Sequence, residues 1–207
     1  MTVSLSTERT SRTTSRTLWR ATIVIVASLL IGGAESWAQG FLPDWLRPLS
    51  NSASGWTLVT ALLVFWSRVR PGVAALLGAV SFALLVIGYA AVSTWRGYTY
   101  SPVMWAAIGI VVGPFVGIAA SGLRQRGIGA ALGTGLLAGI GIGDAVYGLT
   151  VVADTTGIAY WIIIGGLALL LLGGMLLRTI RGAVPLAAVS AATIVIALGY
   201  NLALRLL

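Results

Sequence analysis

Residues 70–92 read RPGVAALLGAVSFALLVIGYAAV. One arginine stands at the head, and the residues after it are apolar or small for longer than the roughly 20 residues a helix needs to cross a hydrocarbon core of about 30 Å. Pro71 sits where a first helical turn tolerates proline. Residues 181–203 read RGAVPLAAVSAATIVIALGYNLA and match the first stretch at a constant offset of 111 (181 − 70) through Arg70/Arg181, Val73/Val184, Gly88/Gly199 and Tyr89/Tyr200. The pair predicts membrane-spanning helices arranged as a repeat.

Similar runs extend outward from these two. The chain of 207 residues is 58% hydrophobic and 9% charged, against about 25% charged in soluble domains, and its mean hydropathy is +0.98. Apolar segments over 18–38, 49–67, 71–95, 102–123, 127–153, 158–177 and 183–204 predict an all-α polytopic membrane protein with seven transmembrane helices. Asn51, Ser52 and Ser54 are capping residues at the head of the second span. With the N-terminus cytoplasmic and the C-terminus outside, Arg9, Arg12, Arg16, Arg20, Arg68, Arg70, Arg124, Arg126, Arg178 and Arg181 lie inside, and Arg47, Arg96 and Arg205 outside. Ten against three is a positive-inside pattern.

The organisation expected is a disordered cytoplasmic tail over 1–17, a first three-helix repeat over 18–95, a linker helix over 102–123 and a second three-helix repeat over 127–204. The tail arginines can also touch anionic headgroups. Upstream of the opening pair, Glu35 and Asp144 differ by 109 (144 − 35) and Trp56 and Trp161 by 105 (161 − 56). Spans 1–3 thus parallel spans 5–7, a parallel 3+1+3 pseudo-repeat, a plan in which a transporter places its site between the repeats. A rival reading of the first span as a cleaved signal rests on Arg16, Arg20 and the small-x-small triplet Ser36-Trp37-Ala38; the repeat requires this helix to stay.

The two acids are the polar residues to explain. Asp144 lies in GIGIGDAVYG, residues 139–148, and Glu35 in ASLLIGGAESWAQG, residues 27–40, each between small residues. An ionisable group within a span is a candidate functional group. Two carboxylates close together in a poorly solvated site do not both ionise easily, which suits proton coupling or a small cationic substrate. Ser28, Gly32, Glu35 and Gln39 share one face of span 1, and Gly133, Gly141, Asp144 and Gly148 one face of span 5. Trp37, Tyr147, Trp56 and Trp161 are placed to line a cavity, or to anchor the interface; Asn51 heads span 2, and Asn201 is a polar group deep in span 7, suited to an interhelical hydrogen bond. Glu35 stands 17 residues past Leu18 (35 − 18), about 25 Å along a helix, so both acids belong to the outer third of the membrane. Gly109, Gly113 and Gly117 form a helix-packing stripe on span 4.

Composition excludes much chemistry. There is no His, Cys or Lys, which removes histidine bases, thiol nucleophiles, Schiff bases and the usual zinc and iron–sulfur ligands; no cofactor or metal is expected, and the redox compartment stays open. The arginines speak to membrane orientation and not to nucleic acid. Gly141-Ile142-Gly143-Asp144 spells the GxGD signature of intramembrane aspartyl proteases, but that chemistry needs a second aspartate, and none lies within a span. The run also fails as a dinucleotide fingerprint.

The 3+1+3 plan resembles that of the SWEET sugar transporters. That likeness is one of plan: their early-helix prolines are absent here and their N-terminus is external, so no substrate carries over. A closer resemblance, resting on Asn51–Trp56 (NSASGW), the acid-bearing glycine-rich helices and the length, is to an uncharacterised family of small bacterial, often actinobacterial, integral membrane proteins, and it implies no activity. The expectation is a multi-pass protein of the bacterial plasma membrane, non-enzymatic, that transports or binds a small cationic or proton-coupled solute. The alternative is a scaffold or partner subunit, with the lipid bilayer and a homo-oligomer or larger membrane complex as its partners; a GxGD-type intramembrane aspartyl protease is the third reading.

Overall fold

The computed structural model describes residues 3–50 and 52–206, with side chains from residue 15 onward. The described residues are all-α. In order come α1 (Val3–Ala38), a 3-10 turn (Asp44–Ser50), α2 (Ala53–Ser67), α3 (Pro71–Trp95), α4 (Val103–Gly122), α5 (Ile128–Tyr147), α6 (Ala153–Thr156), α7 (Ala159–Arg178) and α8 (Ala183–Leu206). A single π-helical turn, Gly148–Val152, joins α5 to α6 without a break. Helix α1 begins at Val3, inside the stretch that composition reads as a tail, and its membrane-length portion is Ser15–Ala38.

Among the described residues, six helices are long and apolar enough to cross a membrane. The exception is α2. The expected span over 49–67 divides into the 3-10 turn and a helix of 15 residues, about 22 Å at 1.5 Å per residue. Pro48 lies inside that turn, where it supplies no amide hydrogen to continue a ladder. The short helix still bridges the two ends of the bundle. Its head meets Tyr160 at the start of α7, and the carbonyl of Ser67 at its foot accepts from Arg20 near the start of the α1 span.

Small residues decide which helices touch. In lipid, helices gain little from burying apolar surface against one another, so close backbone approach and interhelical hydrogen bonds carry the association. Between α1 and α3, a methyl group at Gly32 would collide with the Leu85 carbonyl, and one at Gly88 with the Leu29 carbonyl. Ser28 pairs with Ser81 at 2.7 Å and Ser36 with Ser93 at 2.9 Å across the same seam. Between α3 and α4, Gly113 faces Gly78 and Gly117 faces Ala74, while Gly109 lies under the Phe82 ring. Helix α5 uses Gly135, Gly139 and Gly143 against α8. The outward faces carry exposed Leu, Ile, Val and Phe side chains, among them Leu76, Ile110, Phe115, Leu170 and Leu198.

Candidate functional site

The site is built from the head of α2. Ser52 has extended backbone (φ −127°, ψ 154°), and its hydroxyl oxygen accepts the Gly55 amide at 3.0 Å, an N-cap. That cap sets the rotation of the first turn. Residues two apart on a helix point about 200° away from each other, so Ser54 and Trp56 reach towards opposite neighbours. Trp56 goes to Glu35 on α1, and Ser54 goes to Asp144 on α5.

Glu35 is held. The Trp56 indole N–H donates to its Oε2 at 3.0 Å. Trp56 is 1% exposed, with Phe82, Tyr89 and Trp105 set edge-on around it at centroid distances of 6.2, 6.1 and 5.9 Å. One turn beyond Glu35, Gln39 Oε1 accepts the Tyr89 hydroxyl at 2.7 Å.

Asp144 is more deeply buried. It is 2% exposed, and its Oδ1 accepts the Tyr200 hydroxyl at 3.2 Å. The hydroxyl and amide of Ser54 approach it without meeting full hydrogen-bond geometry. Oδ2 has no hydrogen-bond partner among the described residues. Neither Asp144 nor Glu35 is ion-paired among those residues; the pair that does form is Arg47–Asp44 at 3.0 Å, exposed on the 3-10 turn. The two acids make no direct contact: α2 stands between them.

Tyr160 completes the arrangement. Its hydroxyl lies 2.8 Å from Ser52 Oγ and 2.8 Å from Ser54 Oγ, within electrostatic reach of both acids. The two serines open onto different spaces. Ser52 lines a polar cavity of about 840 Å³ with Gln39, Arg47, Thr156 and Trp161. Ser54 lines an apolar cavity of about 370 Å³ between α2, α5 and α7. The Tyr160 hydroxyl thus links a serine of one cavity to a serine of the other, and Ser54 also approaches Asp144. The group offers acceptors and hydroxyls and no cation, which suits a proton or an N–H donor.

The other expected residues are distributed around this cluster. Trp161 donates to Thr156 Oγ1 at 2.8 Å and packs on Gly148, where a Cβ would clash with the indole; the π-turn begins at that glycine. Asn201 Nδ2 donates to the Gly143 carbonyl at 3.4 Å, and its Oδ1 accepts from Arg205 at 2.8 Å. Trp37 is 45% exposed and stacks on Phe41, with Arg96 over its ring, away from both acids. Tyr147 is half-buried and makes no hydrogen bond to either acid. Asn51 lies outside the described residues. The sequence reading did not single out Tyr160, Tyr200 or Ser54 as site groups. Tyr200 carried a signal in its match to Tyr89, and Ser54 one in its place at the helix head; Tyr160 had none beyond adjoining Trp161.

Apolar helices packed through small residues, with a polar cluster buried at one end, define a multi-pass helical membrane protein. Residues 11–207 match the family described as "Family of unknown function (DUF6518)", and the chain belongs to that family. No curated protein and no solved structure matches it, so neither the likeness to sugar transporters nor an actinobacterial origin gains support from these comparisons.

Proposed function

We propose that this protein binds and passes a small cationic or proton-coupled solute across the bacterial plasma membrane, with Asp144 as the acceptor and Glu35 as its counterpart in the other half. The observation that carries this reading is the unpartnered Oδ2 of a carboxyl that is 2% exposed and is approached by Ser54, whose hydroxyl shares Tyr160 with Ser52. A buried acceptor without a donor costs about 1–3 kcal/mol, more if charged, and a proton or an ammonium N–H would relieve that cost. The reading includes seven crossings in a parallel 3+1+3 plan, N-terminus inside. Two features support it: α2 bridges the bundle despite its length, and the α1–α3 seam has a counterpart in the glycine-built α5–α8 seam. It also includes the absence of catalysis, since the acid next to Asp144 across α2 is a glutamate already bonded to an indole.

A partner or scaffold subunit is the second reading. It is favoured by the occupied state of Glu35, whose Oε2 is bound by a tryptophan that cannot move without disturbing three aromatic neighbours.

The chain contains no cysteine, so Glu35→Cys and Asp144→Cys can be labelled singly with a membrane-impermeant maleimide in sealed vesicles of either orientation. Labelling of Asp144→Cys from both sides is the result expected of a transport site. Labelling of either variant from the acid side alone favours the subunit reading. No labelling of either variant from either side would overturn the transport proposal.

A further inference from the structure

The foot of α2 gathers three arginines. Ser67 closes the helix, and Arg68 comes next in the left-handed region (φ 54°). Arg20 Nη1 donates to the Ser67 carbonyl at 3.4 Å. The Arg124 guanidinium lies over the Phe65 ring, 4.4 Å from its centroid. Burial holds Arg124 below the usual guanidinium range, and the charges of Arg68 and Arg20 lower it further, so the three sit close enough to repel one another. None is ion-paired among the described residues. The carbonyl end of a helix attracts a cation, but its partial negative charge does not neutralise three.

An apolar cavity opens beside this cluster. Phe65, under Arg124, and Leu123, its chain neighbour, line the space of about 370 Å³ that continues past Leu62, Leu167 and Leu171 towards Ser54. Its size falls within the roughly 300–1,000 Å³ usual for small-ligand sites. Arg68 and Arg124 stand in the links between α2 and α3 and between α4 and α5, outside the apolar helices themselves. Basic pockets between transmembrane helices are suited to anionic headgroups, each arginine near the surface adding about 1 kcal/mol.

We propose that the foot of α2 is a binding site for an anionic phospholipid, its phosphate held by Arg20, Arg68 and Arg124 and an acyl chain lying in the cavity between α2, α5 and α7. Charge complementarity selects the headgroup, and the apolar walls select a chain over a free anion. The arginines lie at the far end of this cavity from Ser54 and the acid cluster, and the proposal does not depend on the transport reading.

Native mass spectrometry of the full chain in detergent, offered equal amounts of phosphatidylglycerol and phosphatidylcholine, tests it. The wild type is expected to retain phosphatidylglycerol preferentially. Arg124→Gln should lower that preference about fivefold, the equivalent of one arginine's contribution. Leu167→Trp, which fills the cavity and leaves the arginines in place, should reduce retention of the lipid. Equal retention of both lipids by the wild type would overturn the proposal without recourse to any variant. Displacement of phosphatidylglycerol by inorganic phosphate, with Leu167→Trp behaving as wild type, would overturn it in favour of a free-anion site.

Discussion

Glu35 and Asp144 stand in similar local sequence, each an acid between small residues on a glycine-rich helix, and their surroundings differ. Glu35 receives a strong indole donor from Trp56, which is wedged among Phe82, Tyr89 and Trp105. Asp144 receives one long hydroxyl contact from Tyr200 and keeps its second oxygen without a partner among the described residues. Each carboxylate accepts a side-chain hydrogen bond on one oxygen; they differ in burial, since the second oxygen of Asp144 is closed off from solvent while Glu35 is only half-buried. The difference comes from the neighbours. An aromatic cluster of α2, α3 and α4 packs against Glu35, whereas α2, α7 and α8 bring hydroxyls to Asp144. The same chemical group meets an aromatic cluster at one position and a set of hydroxyls at the other.

That contrast can be broken from the Glu35 side first. Trp56→Ala removes a fully buried aromatic and should lower stability by about 3–5 kcal/mol, seen as a large drop in the thermal unfolding temperature in detergent. If the loss were as small as that of a surface substitution, Trp56 would not be packed in that cluster. On the Asp144 side, Tyr200→Phe removes its bonded donor and should cost about 1–3 kcal/mol. A double-mutant comparison with Asp144→Asn should show that the two changes are not additive.

Tyr160→Phe tests whether the hydroxyl cluster separates the two cavities. It keeps the ring and deletes the hydroxyl that joins Ser52 and Ser54, so the expected cost is about 1 kcal/mol, with faster maleimide labelling of Asp144→Cys in its background. An unchanged labelling rate would mean that the two cavities are not divided at this hydroxyl. The smallest effect sharpens the comparison by pH. Tyr100 lies outside the spans, edge-on to Tyr89 at 5.0 Å, and burial, then the charge of Tyr89, pushes its phenol up to about 12. Its folded value lies above the unfolded one of about 10. Its contribution to stability is therefore complete below about pH 10 and is lost as pH rises towards about 12. Ultraviolet titration of Tyr100→Phe against wild type should remove one late-ionising tyrosine.

Much of the fold was legible because lipid imposes a simple rule. A span needs length and apolarity, and six of the expected spans are long enough to read directly. The second was harder. Its polar head, Ser52 to Ser54, serves the site and not the membrane, so hydropathy blurred the boundary between the 3-10 turn and α2. The acids themselves were legible, since a charge in an apolar run stands out. Their partners were mostly not. Tyr160, Tyr200 and Ser54 are ordinary residues in sequence, and only the approach of three helices makes them neighbours. Trp37, by contrast, adjoins Glu35 closely in the chain and yet faces away from it, stacked on Phe41.

The sequence by itself determined that this chain is helical and membrane-embedded, and which of its residues are too costly to bury without a purpose, because transfer into hydrocarbon depends on composition and spacing alone. Only the tertiary structure decided that α2 stands between the two acids, that the second oxygen of Asp144 is buried without a partner among the described residues, and that three arginines converge at the helix foot. Those facts depend on how closely backbones approach at Gly32, Gly88 and Gly143 and on the rotation that the Ser52 cap imposes on α2. Both are properties of packed helices and not of any one of them.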